Sequence, residues 1–571
     1  MRHGEKERIP TLPEDYIVSQ EVEEILEMVV HTPARLFMMT GEAGTGKTTD
    51  ARMIAQILGL PYYVFTCGPG TDELELLAST VPNMGTKKGL HADTGLDRAI
   101  QTIILILTVL CIGIAIIGGC DQPRNWWYSG VVAAGLVAVV GVLLFTASKT
   151  KQHFRFWLVV IFAAALAARL IMLQLWPIEP ISDFKDTYRV AEGLSQVSPS
   201  AMPAMMQQEF SYYYSTWSVH SVFILLELAI IKLFGAGYYP IQVVFNLFGA
   251  WSCVMAALIA KSLYGRRAGI LAGMVMAFLP LNLLFCGVLS NQHVATSLFL
   301  TGIYFLIANP CRRMRYGKIC NVGLAAVFLC LSQLIRPEML VFLIAVACYW
   351  IYTELIHKRN WDEVKEGAKQ FVLKSVAFFG IYFLVLFSVN GILLQSGLIG
   401  SPITDSNIPY KVAIGLNQES KGLWNEQDAR LMDDEEALEV LIVERVQDVP
   451  LVISLMGEKL MYQFGTYNYS WCVVGETGKF VDDWYSPLTT DIMLLFLLLV
   501  LIEIASAAFT RDRRSLLLYI TLIGYFLVFA VIEVQNRYNY GFIPIFLILA
   551  SGGLVRLIDT VKTVIRIRKR A

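Results

Sequence analysis

Charged residues are scarce in this chain of 571 residues: they make up 16% of it, whereas hydrophobic residues make up 56%. Soluble globular domains carry about 25% charged residues, so the composition excludes one large soluble fold. The ten cysteines form no Cys-x-x-Cys pair, which disfavours a metal centre or a disulfide framework. No short apolar leader precedes the long apolar runs, so we expect the first membrane helix to direct insertion. The net charge of -1 points to no nucleic-acid partner.

Apolar runs of about 20 residues, long enough to cross a bilayer, recur from Ile100 to the end of the chain. We therefore predict a mostly α polytopic membrane protein with about twelve transmembrane helices. The predicted spans are residues 100–118, 130–146, 156–176, 241–261, 268–285, 294–308, 319–334, 339–355, 372–394, 492–508, 516–532 and 542–558.

Short loops rich in Lys and Arg stay cytoplasmic, and this rule sets the predicted orientation. The basic loops fall on one side only if the stretch 217–234, which carries His220, Glu227 and Lys232, does not span. We interpret that stretch as an amphipathic helix at the interface. Both termini are then cytoplasmic. The outer face collects five polar segments, which are residues 177–216, 290–292, 336–338, 395–487 and 533–538.

The predicted domain organisation follows from these runs. It comprises a soluble segment 1–90, an extra transmembrane hairpin 98–148, a membrane core 155–395 with its first outer loop at 177–216, an extracytoplasmic cap 396–487, and C-terminal helices with a basic tail at 488–571. The cap is too long and too rich in aromatic residues for a linker, so we expect it to be folded.

Two groups of charged residues carry the candidate chemistry. Asp183 and Asp186 lie three residues apart, so one helical turn would place both on the same face, with Glu179 about one turn earlier. Grouped carboxylates raise one another's pKa and suit general-base work. Arg336 and Arg537 each lie next to an apolar run, where an arginine either clamps a lipid phosphate or snorkels to the interface.

Residues in a specific order along the chain carry a family resemblance. They are Asp183 with Tyr188 and Ala191, Leu263-Tyr264-Gly265-Arg266-Arg267, Pro280, Ile335-Arg336-Pro337, and Glu533, Gln535, Arg537 and Tyr538 with Pro544. From about residue 155 to 570 the chain resembles the GT-C class of membrane glycosyltransferases, in particular bacterial relatives of the dolichyl-phosphate-mannose protein mannosyltransferases. Residues 409–428 look like the outer loop of Gram-positive members.

The resemblance implies a polyprenyl-phosphate sugar donor and an inverting transfer on the outer side of the membrane. It implies Asp183 as the general base. From their places at helix ends, we expect Arg336 and Arg537, with Tyr538, to bind the donor phosphate. The family often has an adjacent Asp-Glu pair where this chain has Asp183-Phe184, so Asp186 is only a candidate second carboxylate. The acceptor would be an extracytoplasmic glycan, lipid or protein. Some related enzymes use a divalent metal and others none, and the sequence leaves both open.

The soluble segment contains a complete Walker A motif, formed by Gly41, Gly44, Gly46, Lys47 and Thr48. Its amides would cradle phosphates, with Lys47 on the terminal phosphates and Thr48 on Mg²⁺. The segment resembles a MoxR-like AAA ATPase, but the similarity ends at about residue 85, before any Walker B acid. We interpret it as a truncated α/β P-loop remnant with weak ATP binding and expect no active ATPase.

Two other functions compete with the transferase. A flippase for lipid-linked sugars would place charges at mid-bilayer and show repeated halves, whereas here the charges are predicted at helix ends, and no duplication is visible. A membrane-anchored AAA-type motor would need the missing Walker B acid. A glycosyltransferase with its catalytic face outside the cytoplasm is therefore the leading interpretation.

Overall fold

The computed structural model describes residues 95–568 except for 123–125, 150–152, 312–313, 315, 359–360, 405–406, 470, 472–475 and 511. The chain divides into residues 1–92 and 93–571, and the described residues belong to the second unit. The predicted P-loop residues Gly41, Gly44, Gly46, Lys47 and Thr48 lie outside the described part.

The regular elements of the described residues are helices, and no strand occurs among them. The α-helices are α1 Gly95–Cys120, α2 Trp126–Lys149, α3 Phe154–Leu175, α4 Asp183–Ser195, α5 Met202–Gln208, α6 Ser221–Phe234, α7 Tyr238–Tyr264, α8 Arg266–Phe278, α9 Pro280–Leu284, α10 Gln292–Ala308, α11 Gly317–Ile335, α12 Leu340–Trp350, α13 Trp361–Gln395, α14 Ile408–Gly415, α15 Glu426–Ala429, α16 Glu435–Arg445, α17 Val449–Gly465, α18 Glu476–Phe480, α19 Ser486–Thr510, α20 Leu516–Val531 and α21 Ile543–Arg568.

The predicted mostly α, polytopic membrane architecture is confirmed for the described residues. Seven helices are long and apolar enough to span a bilayer, namely those of α1, α3, α7, α11, α13, α19 and α21. The pair α8 and α9 is an eighth when taken as one span, bent by 45° where Pro280 begins α9. The predicted count of twelve is not confirmed, because α10, α12 and α20 are apolar but shorter, and within α2 only the stretch Trp127–Val142 counts as an apolar helix, which is also shorter.

The helix α6 lies within the stretch 217–234 that we predicted not to span, and it runs beside α4. At one end, Lys232 Nζ of α6 donates to Ser195 O at the end of α4 (2.5 Å). The next helix, α7, begins beside α4 as well, since Gly237 N donates to the Tyr188 hydroxyl (3.0 Å). With only 14 residues, α6 is not among the candidate spans. The C-terminal end of α6 and the start of α7 therefore both lie next to α4.

Two buried charged side chains correct the expectation that charges lie only at helix ends. Arg169 lies inside α3 at 1% exposure, and Glu503 lies inside α19 at 0%. Neighbouring helices bind both, because Arg169 donates to Ala277 O of α8 (3.4 Å), as well as to Ala165 O of its own helix (3.1 Å), and Glu503 accepts from the Tyr264 hydroxyl of α7 (3.0 Å). Such buried groups are costly unless hydrogen-bonded, and these fix helix packing.

The basic loops meet at one end of the helix bundle. Arg267, in the first turn of α8, pairs with Asp559 of α21 (2.7 Å). Arg513, before α20, pairs with Asp97 in the first turn of α1 (2.7 Å), which is buried at 2% exposure. The helix α1 of the predicted extra hairpin is thus tied to the core at the basic end.

The segment between α13 and α19 folds into a helical cap. Its helices α14 to α17 each begin with an Asn or Asp whose side chain accepts a hydrogen bond from an amide of the first turn. Asp428 of α15, buried at 3% exposure, accepts from both terminal nitrogens of Arg445 (2.8 and 2.9 Å) and from Asn417 (2.9 Å). This buried network joins α15 and α16 to Asn417, which follows α14.

Candidate active site

The site begins where α4 begins. Asp183 is the first residue of α4, and an acid is favoured there by the partial positive charge of a helix N-terminus. The preceding Ser182 has φ 50°, a backbone conformation that is uncommon for residues other than glycine. Asp183 Oδ2 accepts a hydrogen bond from Arg537 Nη2 at 3.0 Å, across 354 positions of sequence. Tertiary structure thus pairs the first outer loop with the segment after α20.

Arg537 is held on several sides. Its side chain is only 17% exposed, and its Nε donates to Gln535 Oε1 at 2.6 Å. The guanidinium carbon lies 5.1 Å from the ring centroid of Phe184 and 5.7 Å from that of Tyr538. These cation–π contacts fix the plane of the guanidinium.

Arg336 joins the same site from the end of α11. Its Nη1 donates to Asn291 Oδ1 at 3.1 Å, its Nε pairs with Glu338, and its guanidinium lies 5.2 Å from the Tyr538 ring centroid. Tyr538 therefore contacts both arginines.

The turn before α10 closes this part of the site. Gln292 Nε2 donates to Arg537 O at 2.5 Å, and Asn291 donates to Ile335 O at 3.3 Å. Side chains from four of the predicted outer segments thus meet at the end of the bundle that carries the cap.

The charge state of Asp183 follows from two opposing influences. Partial desolvation by the surrounding protein raises the pKa of the carboxyl group. The charge and hydrogen bond of Arg537 lower it by more, so the pKa of Asp183 lies below its ordinary value. Its side chain is nevertheless 66% exposed, and an acceptor can reach it. Asp183 is therefore an ionised, accessible carboxylate at neutral pH.

Sequence reasoning did not assign His220 to the site, although the structure places it there. Burial lowers the pKa of its imidazole to about 4, against the opposing charge of Asp183, and the neighbouring cations Arg336, Lys411 and Arg537 lower it further. The ring is therefore neutral at pH 7. The one available signal was a histidine within an apolar stretch, which more often indicates an interfacial helix.

Of the two other predicted acids, the structure keeps Asp186 on the same helical turn as Asp183 but leaves Glu179 outside the helix. Asp186 lies on the first turn of α4, with a side chain 55% exposed and Arg189 at 4.0 Å. Glu179 precedes the helix in a segment without regular structure, so the prediction that it lies one turn earlier on the same helix was wrong. Pro177 and Pro180 lack the amide hydrogen that a helix extended backwards would use.

No group of three or more His, Cys, Asp or Glu side chains that could hold a metal ion occurs in the described part of the chain.

Comparisons with known proteins give no match to a protein-family model and none to a curated protein. Solved structures do match. The chain is similar to the Archaeoglobus fulgidus oligosaccharyltransferase in its apo form, at 12% identity and a TM-score of 0.42, over 74% of this chain and 52% of that one. It is similar to the same organism's oligosaccharyltransferase AglB in complex with an inhibitory peptide and a dolichol-phosphate, at 13% identity and a TM-score of 0.39, over 73% and 52%.

A third similar structure is ArnT from Cupriavidus metallidurans bound to undecaprenyl phosphate, at 12% identity and a TM-score of 0.27, over 70% of this chain and 77% of that one. The present chain spans about half the length of the oligosaccharyltransferase chains. AglB and ArnT are both GT-C glycosyltransferases, the class that the sequence resemblance names.

Proposed function

We propose that this chain is a membrane glycosyltransferase that moves a sugar from a polyprenyl-phosphate donor to an acceptor on the extracytoplasmic face. The observation that carries the proposal is the ion pair between Asp183 and Arg537 at 3.0 Å. Arg336 lies nearby, because both arginines contact the ring of Tyr538. An accessible carboxylate and two fixed guanidinium groups at one end of a helix bundle suit transfer of a sugar from a phosphate.

Asp183 is assigned the role of general base. It would accept the proton of an acceptor hydroxyl while that oxygen attacks C1 of the sugar. The bond between C1 and the phosphate oxygen breaks, and the polyprenyl phosphate leaves with the electron pair. Attack opposite to the leaving group inverts the configuration at C1. Asp186, exposed and near Arg189, is the second candidate for this role.

Arg336, Arg537 and Tyr538 are assigned to the donor phosphate. The contacts described above use Nε and Nη2 of Arg537 and Nε and Nη1 of Arg336. Each guanidinium therefore keeps a further nitrogen for a phosphate oxygen. Two cations facing the leaving phosphate would stabilise the negative charge that develops there in the transition state.

The test is Asp183→Asn in the full-length purified protein, assayed for release of polyprenyl phosphate from a panel of polyprenyl-phosphate hexoses with envelope extract as acceptor. We expect a loss of at least about 100-fold in kcat, because the amide cannot take up the proton. The matched variant Asp186→Asn should lose much less. Equal losses would assign the base to both carboxylates, and normal turnover by Asp183→Asn would remove Asp183 from the mechanism.

A further inference from the structure

An unbroken series of side-chain contacts leads from the cap to Asp183. Lys411 of the cap helix α14 pairs with Glu533, and Gln535 Nε2 donates to the other oxygen of Glu533. Gln535 Oε1 accepts from Arg537 Nε (2.6 Å), and Arg537 Nη2 donates to Asp183 (3.0 Å). Neither the resemblance nor the proposed function gives Lys411 or Glu533 a role.

Burial makes the first of these contacts strong. The Glu533 side chain is 0% exposed and that of Lys411 is 30% exposed. The backbone reinforces the pair, because Glu533 N donates to Lys411 O at 2.9 Å. A buried carboxylate that loses its cation is left uncompensated in a medium of low polarity, so this pair resists separation. The pair also joins α14 to the segment that carries Arg537.

We infer that Lys411 and Glu533 are positioning residues, an ion pair that ties the cap helix α14 to Arg537 and thereby fixes the electrostatic environment of Asp183. The inference rests on the proposed function only in treating Asp183 as the base. It predicts that the packing of α14 against the segment of Arg537 and the charge on Asp183 depend on each other.

Several charged or titratable groups face Asp183 from the elements packed around it. They are Arg537, Lys411 on α14, His220, and Tyr212 and Tyr213 before α6. Asp186 lies on the same turn of α4, Arg336 acts on His220, and Glu338 and Glu533 pair with Arg336 and Lys411. Three cations stand against three partner carboxylates in the pairs of Arg537 with Asp183, Arg336 with Glu338 and Lys411 with Glu533. Removal of Lys411 or of Glu533 therefore leaves the site with one excess charge, negative in the first case and positive in the second.

Opposite shifts are expected from the two members of the pair. Lys411→Gln leaves the Glu533 charge uncompensated, which disfavours a second negative charge on Asp183 and raises its pKa. Glu533→Gln leaves Lys411 and Arg537 both positive, which favours the carboxylate and lowers that pKa. The shift should be about half a pH unit or more in each direction. The double variant Lys411→Gln/Glu533→Gln should return close to the wild-type value.

The measurement is an infrared titration of the full-length protein, following the protonated-carboxyl band that the variant Asp183→Asn removes. The acidic limb of kcat/KM for release of polyprenyl phosphate gives the same midpoint independently. Asp428→Asn is the control, because it breaks the Arg445 pair inside the cap and should lower the melting temperature without shifting the midpoint. Lys411→Arg keeps the charge and should keep the midpoint.

Shifts of opposite sign that cancel in the double variant support the inference. Unchanged midpoints, or shifts of one sign in both single variants, would overturn it, since a purely structural role moves stability and not the sign of a titration. The infrared readout does not depend on turnover. If Asp183→Asn transfers sugar normally while the opposite shifts persist, the proposed base is wrong and the ion-pair coupling stands.

Discussion

Arg336 and Arg537 each meet a carboxylate in the described structure, and this matters for how a phosphate could bind. Arg336 pairs with Glu338 and Arg537 pairs with Asp183. A guanidinium has five N–H groups in a plane, so it can hold one carboxylate and still present a second edge. A lysine at either position would offer one point charge without that geometry.

Arg336→Lys tests this directly. We expect the KM for a polyprenyl-phosphate sugar to rise about tenfold, equivalent to about 1.4 kcal/mol, because the ammonium cannot serve Glu338, Asn291 and a phosphate together. The measurement is steady-state kinetics with varied donor. Arg430→Lys is the control, since Arg430 is 75% exposed in the cap and, among the described residues, forms an ion pair only with Glu426. An unchanged donor KM in Arg336→Lys would argue against phosphate binding there.

At the scale of elements, the cap is fastened to the membrane helices by a buried lysine. Lys459 of α17 is 1% exposed, and its Nζ donates to Gly415 O at the end of α14 (2.6 Å) and to Ala530 O near the end of α20 (3.0 Å). The last carbonyls of helices lack intrahelical partners and carry partial negative charge, so a cation there is favoured. Burial nevertheless lowers the pKa of Lys459 to about 7.

Lys459→Met should lower the free energy of unfolding by about 1–3 kcal/mol, because two carbonyl groups lose their buried donor. The matched control is Lys421→Met, whose pair with Glu458 is 3.0 Å long but lies between side chains 69% and 45% exposed. Such a surface pair contributes little, and we expect almost no change. Thermal unfolding of the two variants in the same detergent gives the comparison. Equal melting temperatures would mean that Lys459 does not hold the cap.

A pH dependence follows from the same lysine. Its pKa in the folded state is lower than in the unfolded chain, so the unfolded state binds the proton more readily. The stability associated with the neutral amine is therefore present above the unfolded pKa of about 10.4 and is lost as pH falls through the folded value. The loss of unfolding free energy caused by Lys459→Met should accordingly become smaller as the pH falls between those two values.

At the scale of the whole molecule, contacts divide the polar groups between two ends of the helix bundle. The candidate site and the cap share one end, where Lys411 meets Glu533. The basic loops share the other end, where Arg267 meets Asp559 and Arg513 meets Asp97. The charge rule then predicts that the end with Asp183 faces away from the cytoplasm.

Cysteine labelling tests that orientation. In a cysteine-depleted background, Glu426→Cys in the cap should react with an impermeant thiol reagent on intact cells, whereas Arg514→Cys should react only after permeabilisation. Both positions are solvent-accessible, with side chains 73% and 60% exposed. The reverse pattern would invert the topology and place the candidate site in the cytoplasm.

Local patterns in the sequence were sufficient for much of the fold. Apolar runs predicted helices at all twelve positions, because the length and composition of a run indicate a membrane helix whatever that helix packs against. Their lengths were less predictable. Pro280 breaks one run, and α20 is only 16 residues long. The extent of a helix depends on where its polar end groups find partners.

The site was predictable in part. Asp183, Arg336 and Arg537 were named from their positions next to apolar runs and from the resemblance, and the structure brings them together. Lys411 and Glu533 belong to segments that carry the resemblance, but the sequence assigned neither residue a role. Their pairing spans 122 positions of sequence, and no local pattern carries information about a contact at that separation.

By itself, the sequence determined that this chain is helical, that it belongs in a membrane, and which side chains could carry charge at the helix ends. Tertiary structure alone decided that an acid after α3, an arginine after α11 and another after α20 would meet. Helix formation and membrane partition are short-range properties of apolar surface and backbone hydrogen bonding. The placement of opposite charges within 3.0 Å depends on how all the helices pack together.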